Sequence, residues 1–170
     1  MSATAGRGTA GADRSLLRTA ALAVGATFLL VGVLGFIPGI TSNYDEMGFA
    51  GHESMAKLLG VFQVSVLHNI VHLLFGAAGI ALARRNDTAR NYLVGGGVIY
   101  LVLWLYGLVV DKDSSANFVP VNTADNWLHL GLGVGMIALG VLLSRAVHDR
   151  RAGTYLTRRP MGTIGDRPQL

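Results

Sequence analysis

Two apolar stretches of this chain hold nearly all the side chains able to do chemistry away from water. His68, Asn69 and His72 are set into Val64–Ala83, VSVLHNIVHLLFGAAGIALA, and Asp125, Asn126 and His129 stand at the head of the last apolar run. The two share a pattern: Asn69-x-x-His72-Leu73-x-x-Gly76 returns as Asn126-x-x-His129-Leu130-x-x-Gly133, an offset of 57 residues (126 − 69, 129 − 72, 133 − 76). Self-similarity of this kind marks an internal repeat. On a helix, Asn69, His72, Gly76 and Gly79 occupy i, i+3, i+7 and i+10 and so share one face.

Three chemistries fit such residues. In the first, Asn69, His72, Asn126 and His129 form an interhelical polar site, each hydrogen-bonded pair worth about 0.6 kcal/mol, while Gly32, Gly76, Gly79 and Gly133 let neighbouring backbones approach. In the second, the imidazoles bind metal: His72 and His129 as axial ligands of a haem iron, or His68, His72 and His129 with Asp125 around zinc or another transition metal. In the third, histidines titrating near neutral pH serve transport or a proton relay. The first is preferred, because polar residues inside a membrane usually face the interior and pair there. The third is disfavoured by the absence of Asp, Glu, Lys and Arg from the apolar runs. Ser65 and His68 lie three apart with no carboxylate beside them, which is not a hydrolytic triad. The chain has no cysteine, so disulfides, thiolate ligands and cysteine nucleophiles are excluded.

The elements that carry these residues follow from composition. Of 170 residues 51% are hydrophobic and 14% charged, with a mean hydropathy of +0.46, more apolar than an ordinary soluble domain. Thr19–Tyr44, Leu58–Ala83, Asn91–Val110 and Asn126–Ser144 are free of charge, each long enough for a span of roughly 20 residues. The expectation is an all-α integral membrane domain over 15–145, with helices at about 19–37, 64–83, 91–110 and 126–144. A β-barrel would alternate with period two, and these runs do not. Residues 1–14 are expected to be a flexible arm and 146–170 a basic flexible tail. Glu53–Phe62 reads either as a short amphipathic surface helix or as an early start to the second span. Tyr100 falls near mid-membrane and is a candidate to face inward.

Charge sets the orientation. Twelve arginines lie in the N-terminal arm, the segment Arg84–Arg90 and the tail, whereas the other two loops hold only Lys57 and Lys112. By the positive-inside rule both termini and the Arg84–Arg90 loop face the cytoplasm. Because each half then has two crossings, the two halves form parallel-repeat hairpins about an axis along the membrane normal.

The pattern over Leu59–Gly76, L-x-x-F-Q-x-x-x-L-H-N-x-V-H-L-x-x-G, together with Gly35-Phe-Ile-Pro-Gly39 and Asn126-x-x-His129-Leu130-x-x-Gly133, resembles a family of small four-helix bacterial membrane proteins catalogued as domain of unknown function 4383. The resemblance spans about Ser15 to Leu143. It implies four spans and supplies no catalytic residues.

The expected function is non-enzymatic, a structural or accessory component of the cytoplasmic membrane, crossing it several times. No cofactor is predicted outright, haem or a transition metal being the competing reading. The expected partners are the lipid bilayer and, within it, a second copy of the chain or other membrane proteins; nucleic acid is not expected.

Overall fold

The computed structural model describes residues 15–157. Four helices dominate: α1 (Leu16–Leu34), α2 (Val66–Leu82), α3 (Asn86–Val109) and α4 (Thr123–Thr157). Three short strands, β1 (Thr41–Ser42), β2 (Lys57–Leu58) and β3 (Phe62–Gln63), fill the connection between α1 and α2. The arm at 1–14 and the chain beyond 157 lie outside the described residues.

Each helix starts and stops for a local reason. The Ser15 hydroxyl accepts from the Arg18 N–H and caps α1, and it also donates to the Asn86 side chain at the start of α3. Arg18 Nε donates to the Ala83 carbonyl at 3.1 Å, placing a cation on the carbonyl end of α2. At the far end of α1 the Thr41 hydroxyl reaches back to the Leu34 and Gly35 carbonyls, 3.2 Å each. The helix closes at Leu34, three residues earlier than expected, because residues 35–37 tighten into i→i+3 turns ahead of Pro38.

α2 follows the same logic, with Ser65 capping through the His68 N–H at 3.1 Å. Only residues 83–85 separate it from α3. The Thr88 hydroxyl bonds the Leu82 carbonyl at 2.6 Å, and Asp87 sits favourably in the first turn of α3. Most of the expected Arg84–Arg90 loop is therefore helical. α4 opens three residues early on a reciprocal box: the Asp125 N–H donates to Asn122 Oδ1 and the Asn122 N–H to Asp125 Oδ2, both at 3.0 Å. It also runs past the expected end at Ser144 to Thr157, since Arg145–Ala152 contains no helix breaker.

The first connection corrects the sequence reading. Glu53–Phe62 is neither a surface helix nor the start of α2. It is an antiparallel turn in which β2 pairs with β1 (Thr41 opposite Leu58) and with β3 (Leu58 opposite Phe62). Leu59 and Gly60, at φ +52° and +71°, take the left-handed backbone that the tight reversal needs and a helix forbids. Ala56, Leu58 and Val64 bury this cap against Val31, Leu34 and Ile40. The cap is tied to α4 by the Gln63 N–H on Asp125 Oδ2 (3.0 Å) and by Asn122 Nδ2 on the Val61 carbonyl (2.7 Å).

α1 packs mainly on α2 and α3 mainly on α4. The core between the pairs holds Leu17, Ala21, Phe28, Tyr92, Leu93, Tyr100 and Met136. The opposite faces are apolar and exposed, as at Leu30, Leu74, Val102 and Leu142. α1, α3 and the Thr123–Ala146 part of α4 are long and apolar enough to cross a membrane, and α2 is a shorter apolar helix of 17 residues.

Candidate functional site

His68, His72 and His129 line one cavity of about 390 Å³ with Phe28, Tyr100 and Asp125. Each histidine owes its place to its own helix: His68 follows the Ser65 cap, His72 lies one turn further along α2, and His129 one turn past Asp125 on α4. The His68 and His72 rings meet edge to face with centroids 4.4 Å apart. His72 packs on Phe28 at 5.5 Å and His129 on Tyr100 at 5.3 Å, with interplanar angles of 57° and 58°. Phe28 and Tyr100 stack on each other. Among the described residues the Nδ1 atoms of all three histidines are buried without a hydrogen-bond partner. Among the described residues no group of three or more His, Asp or Glu side chains stands where it could hold a metal ion. Asp125 spends Oδ2 on the Gln63 and Asn122 N–H groups rather than on an imidazole.

Asn69 and Asn126 go elsewhere. Among the described residues their Oδ1 atoms have no conventional donor, and each lies where a Cβ on a glycine would fall: Asn69 over Gly35, just past the end of α1, and Asn126 over Gly107 of α3. Among the described residues the Asn69 side-chain amide makes one hydrogen bond, a long one in which Nδ2 donates to the Met47 sulfur at 3.9 Å. Both oxygens therefore rest on a glycine Cα, a geometry that suits a weak Cα–H···O contact.

The four glycines singled out from the sequence all stand at close helix contacts. A Cβ on Gly76 would lie 2.6 Å from Leu29 N and 2.7 Å from the Gly25 oxygen; on Gly133, 2.6 Å from Leu101 Cδ2 and 3.0 Å from the Gly97 oxygen. On Gly79 it would meet Tyr92 at 2.6 Å, and on Gly32 the Leu73 side chain at 2.9 Å. Gly131 and Gly135 have nothing within 4 Å.

Tyr100, a candidate to face inward, is buried as expected, but the correspondence between the partner residues on α1 and α3 escaped the sequence reading. Gly25, Phe28, Leu29 and Gly35 correspond to Gly97, Tyr100, Leu101 and Gly107, each pair 72 apart (97 − 25, 100 − 28, 101 − 29, 107 − 35). A search at one fixed offset finds only the 57-residue copies. The difference of 15 (72 − 57) is the extra chain between matched positions across the first connection, which carries the cap. Comparing each half with its own offset would have found both.

A family model described as Domain of unknown function (DUF4383) matches residues 18–142. The chain belongs to this family. No curated protein and no solved structure matches it. The matched stretch of this DUF4383 chain contains all four helical contact surfaces, the cap and the three-histidine cavity.

Proposed function

We propose that this protein is a non-enzymatic structural or accessory component of the cytoplasmic membrane, with a membrane domain over 15–145 that crosses four times and leaves both termini inside. The observation that carries the reading is the fate of its polar side chains. Ser65, Asn122 and Asp125 cap helices, Asn69 and Asn126 pack on glycines, and the histidines pack on aromatic rings. None of these contacts joins a nucleophile to a base or a carboxylate to an imidazole, which acid–base or nucleophilic catalysis would need.

Two parallel hairpins, α1–α2 and α3–α4, related by an axis along the membrane normal, are the architecture we assign. The matched contacts support it: Gly25 on Gly76 and Gly97 on Gly133, Phe28 on His72 and Tyr100 on His129. At 17 residues α2 rises about 25 Å, short for a span but inside the usual range. Asn69, Asn126 and the packing glycines Gly32, Gly76, Gly79 and Gly133 act, on this reading, in close packing of the helices, and His72 and His129 in the aromatic cluster where the two hairpins meet.

The chain lacks cysteine, so single cysteines test the orientation without background. Placed at the exposed Ser42 and Ser115, they are expected to react with an impermeant thiol reagent in whole cells. At the exposed Asp87 one is expected to react only after permeabilisation. Labelling at Asp87 in intact cells would reverse the orientation.

A further inference from the structure

We propose that the three-histidine cavity binds a neutral, lipid-soluble molecule with an oxygen-bearing aromatic head, of the quinone or phenol class, entering between α1 and α4. The cavity is not sealed. Its rim includes the exposed Ala23 and Thr27 of α1, Leu59 of the cap and Leu128 of α4. These stand on the apolar outer surface, so a ligand reaching the cavity by this route is one dissolved in the hydrocarbon phase.

The chemistry inside narrows the class. About 390 Å³ lies in the range of small-ligand pockets and is larger than a cavity that holds a single benzene. Phe28, Phe62 and Tyr100 supply flat walls for a ring. His68, His72, His129, Tyr100 and Asp125 supply the polar groups. Among the described residues the three imidazoles have no hydrogen-bond partner at Nδ1, and these atoms are themselves buried, so the cavity offers a few polar contacts on a mainly apolar wall, the make-up of a small-ligand pocket. An acyl chain would leave those few polar contacts and the flat aromatic walls unused. An anionic head is poorer, since among the described residues no Lys or Arg lines the cavity and Asp125 does. A neutral ring with carbonyl or hydroxyl oxygens can stack on the walls and both accept from and donate to this set.

The test uses the full chain in mild detergent, with menadione as the probe, because a cysteine-free protein cannot be arylated at a thiol. The expected result is saturable binding of one menadione per chain, above its partition into protein-free micelles. His129→Leu is expected to weaken it by about tenfold or more, the scale of a lost buried hydrogen bond. Ala23→Phe, at an exposed rim position where the fold is not at stake, is expected to abolish it, and Gly131→Ala to leave it unchanged. Absence of saturable binding to the wild type overturns the proposal. So does equal binding by all variants, or equal displacement by oleate or tetraphenylphosphonium, which would mark a generic acyl or cation site. Binding in detergent reads the cavity itself, so its failure is separable from a wrong membrane orientation.

Discussion

Phe28 and Tyr100 stack between α1 and α3 with ring centroids 5.4 Å apart and planes 22° from parallel. Each carries a histidine on its flank, His72 on Phe28 and His129 on Tyr100. Four rings from four helices thus meet in one cluster, and the two helix pairs touch through it. Both stacking rings are nearly buried, Phe28 at 4% and Tyr100 at 5% exposure, so they pack as core residues.

A double-mutant cycle on this pair measures the joint directly. Phe28→Leu and Tyr100→Leu are each expected to destabilise the protein in detergent. Their coupling is expected to be about 0.5–1.5 kcal/mol, the usual excess of an aromatic pair over its buried area. Additive losses would mean that the helix pairs are held elsewhere.

His72→Ala and His129→Ala form a second cycle with a related outcome. The rings share the aromatic cluster and one cavity, so their losses are expected to couple by about 0.5–2 kcal/mol. Coupling that vanishes in a Phe28→Leu background would show that the stacked rings transmit it. Additivity in the parent chain would remove the shared site.

The glycines make a sharper contrast. Gly76→Ala and Gly133→Ala put a methyl within 3.0 Å of neighbouring backbone, and each is expected to cost about 1–3 kcal/mol. Gly131→Ala and Gly135→Ala meet nothing within 4 Å and are expected to stabilise by up to about 1 kcal/mol through helix propensity. Unfolding of the four variants in one detergent orders them. Equal effects would deny that close backbone approach is what Gly76 and Gly133 provide.

How much of this the sequence carries depends on whether a residue acts along its own helix or across the chain. Helix number and type follow from uncharged apolar runs, and Gly76 and Gly133 are legible because small residues on one face of an apolar helix have few other uses. The cap was not legible. Leu59 in a left-handed turn contradicts its own propensity, and only burial of Leu58 and Val64 against α1 makes the reversal worthwhile. The fate of the Asn side chains was hidden for a related reason. Asn69 and Asn126 share a face with the histidines by spacing, yet a bare glycine on or just past the paired helix draws each away, and that glycine sits at a different offset. Three cavity-lining histidines could be named from spacing alone. The aromatic pair joining two of them required both offsets at once.

Asp125 joins α4 to the cap, and a pair of variants separates its charge from its acceptor oxygen. Oδ2 accepts from the Gln63 N–H in β3 and from the Asn122 N–H at the helix start, 3.0 Å each, and the residue is buried at 3% exposure. Removing the acceptor leaves two backbone donors without it and opens the capping box, so Asp125→Ala is expected to cost about 2–4 kcal/mol. Asp125→Asn keeps one oxygen able to accept both bonds and is expected to cost less than half as much. The losses are expected to be local first. Amide exchange at Gln63 and Asn122 rises in Asp125→Ala, and protease cuts appear between Thr41 and Gln63 before α1 or α3 is touched. Equal costs for the two variants would mean that the negative charge matters rather than the bonds. Unchanged exchange at Gln63 would mean that the cap is held by its apolar contacts with α1, and that Asp125 faces the cavity free of the structural duty assigned to it here.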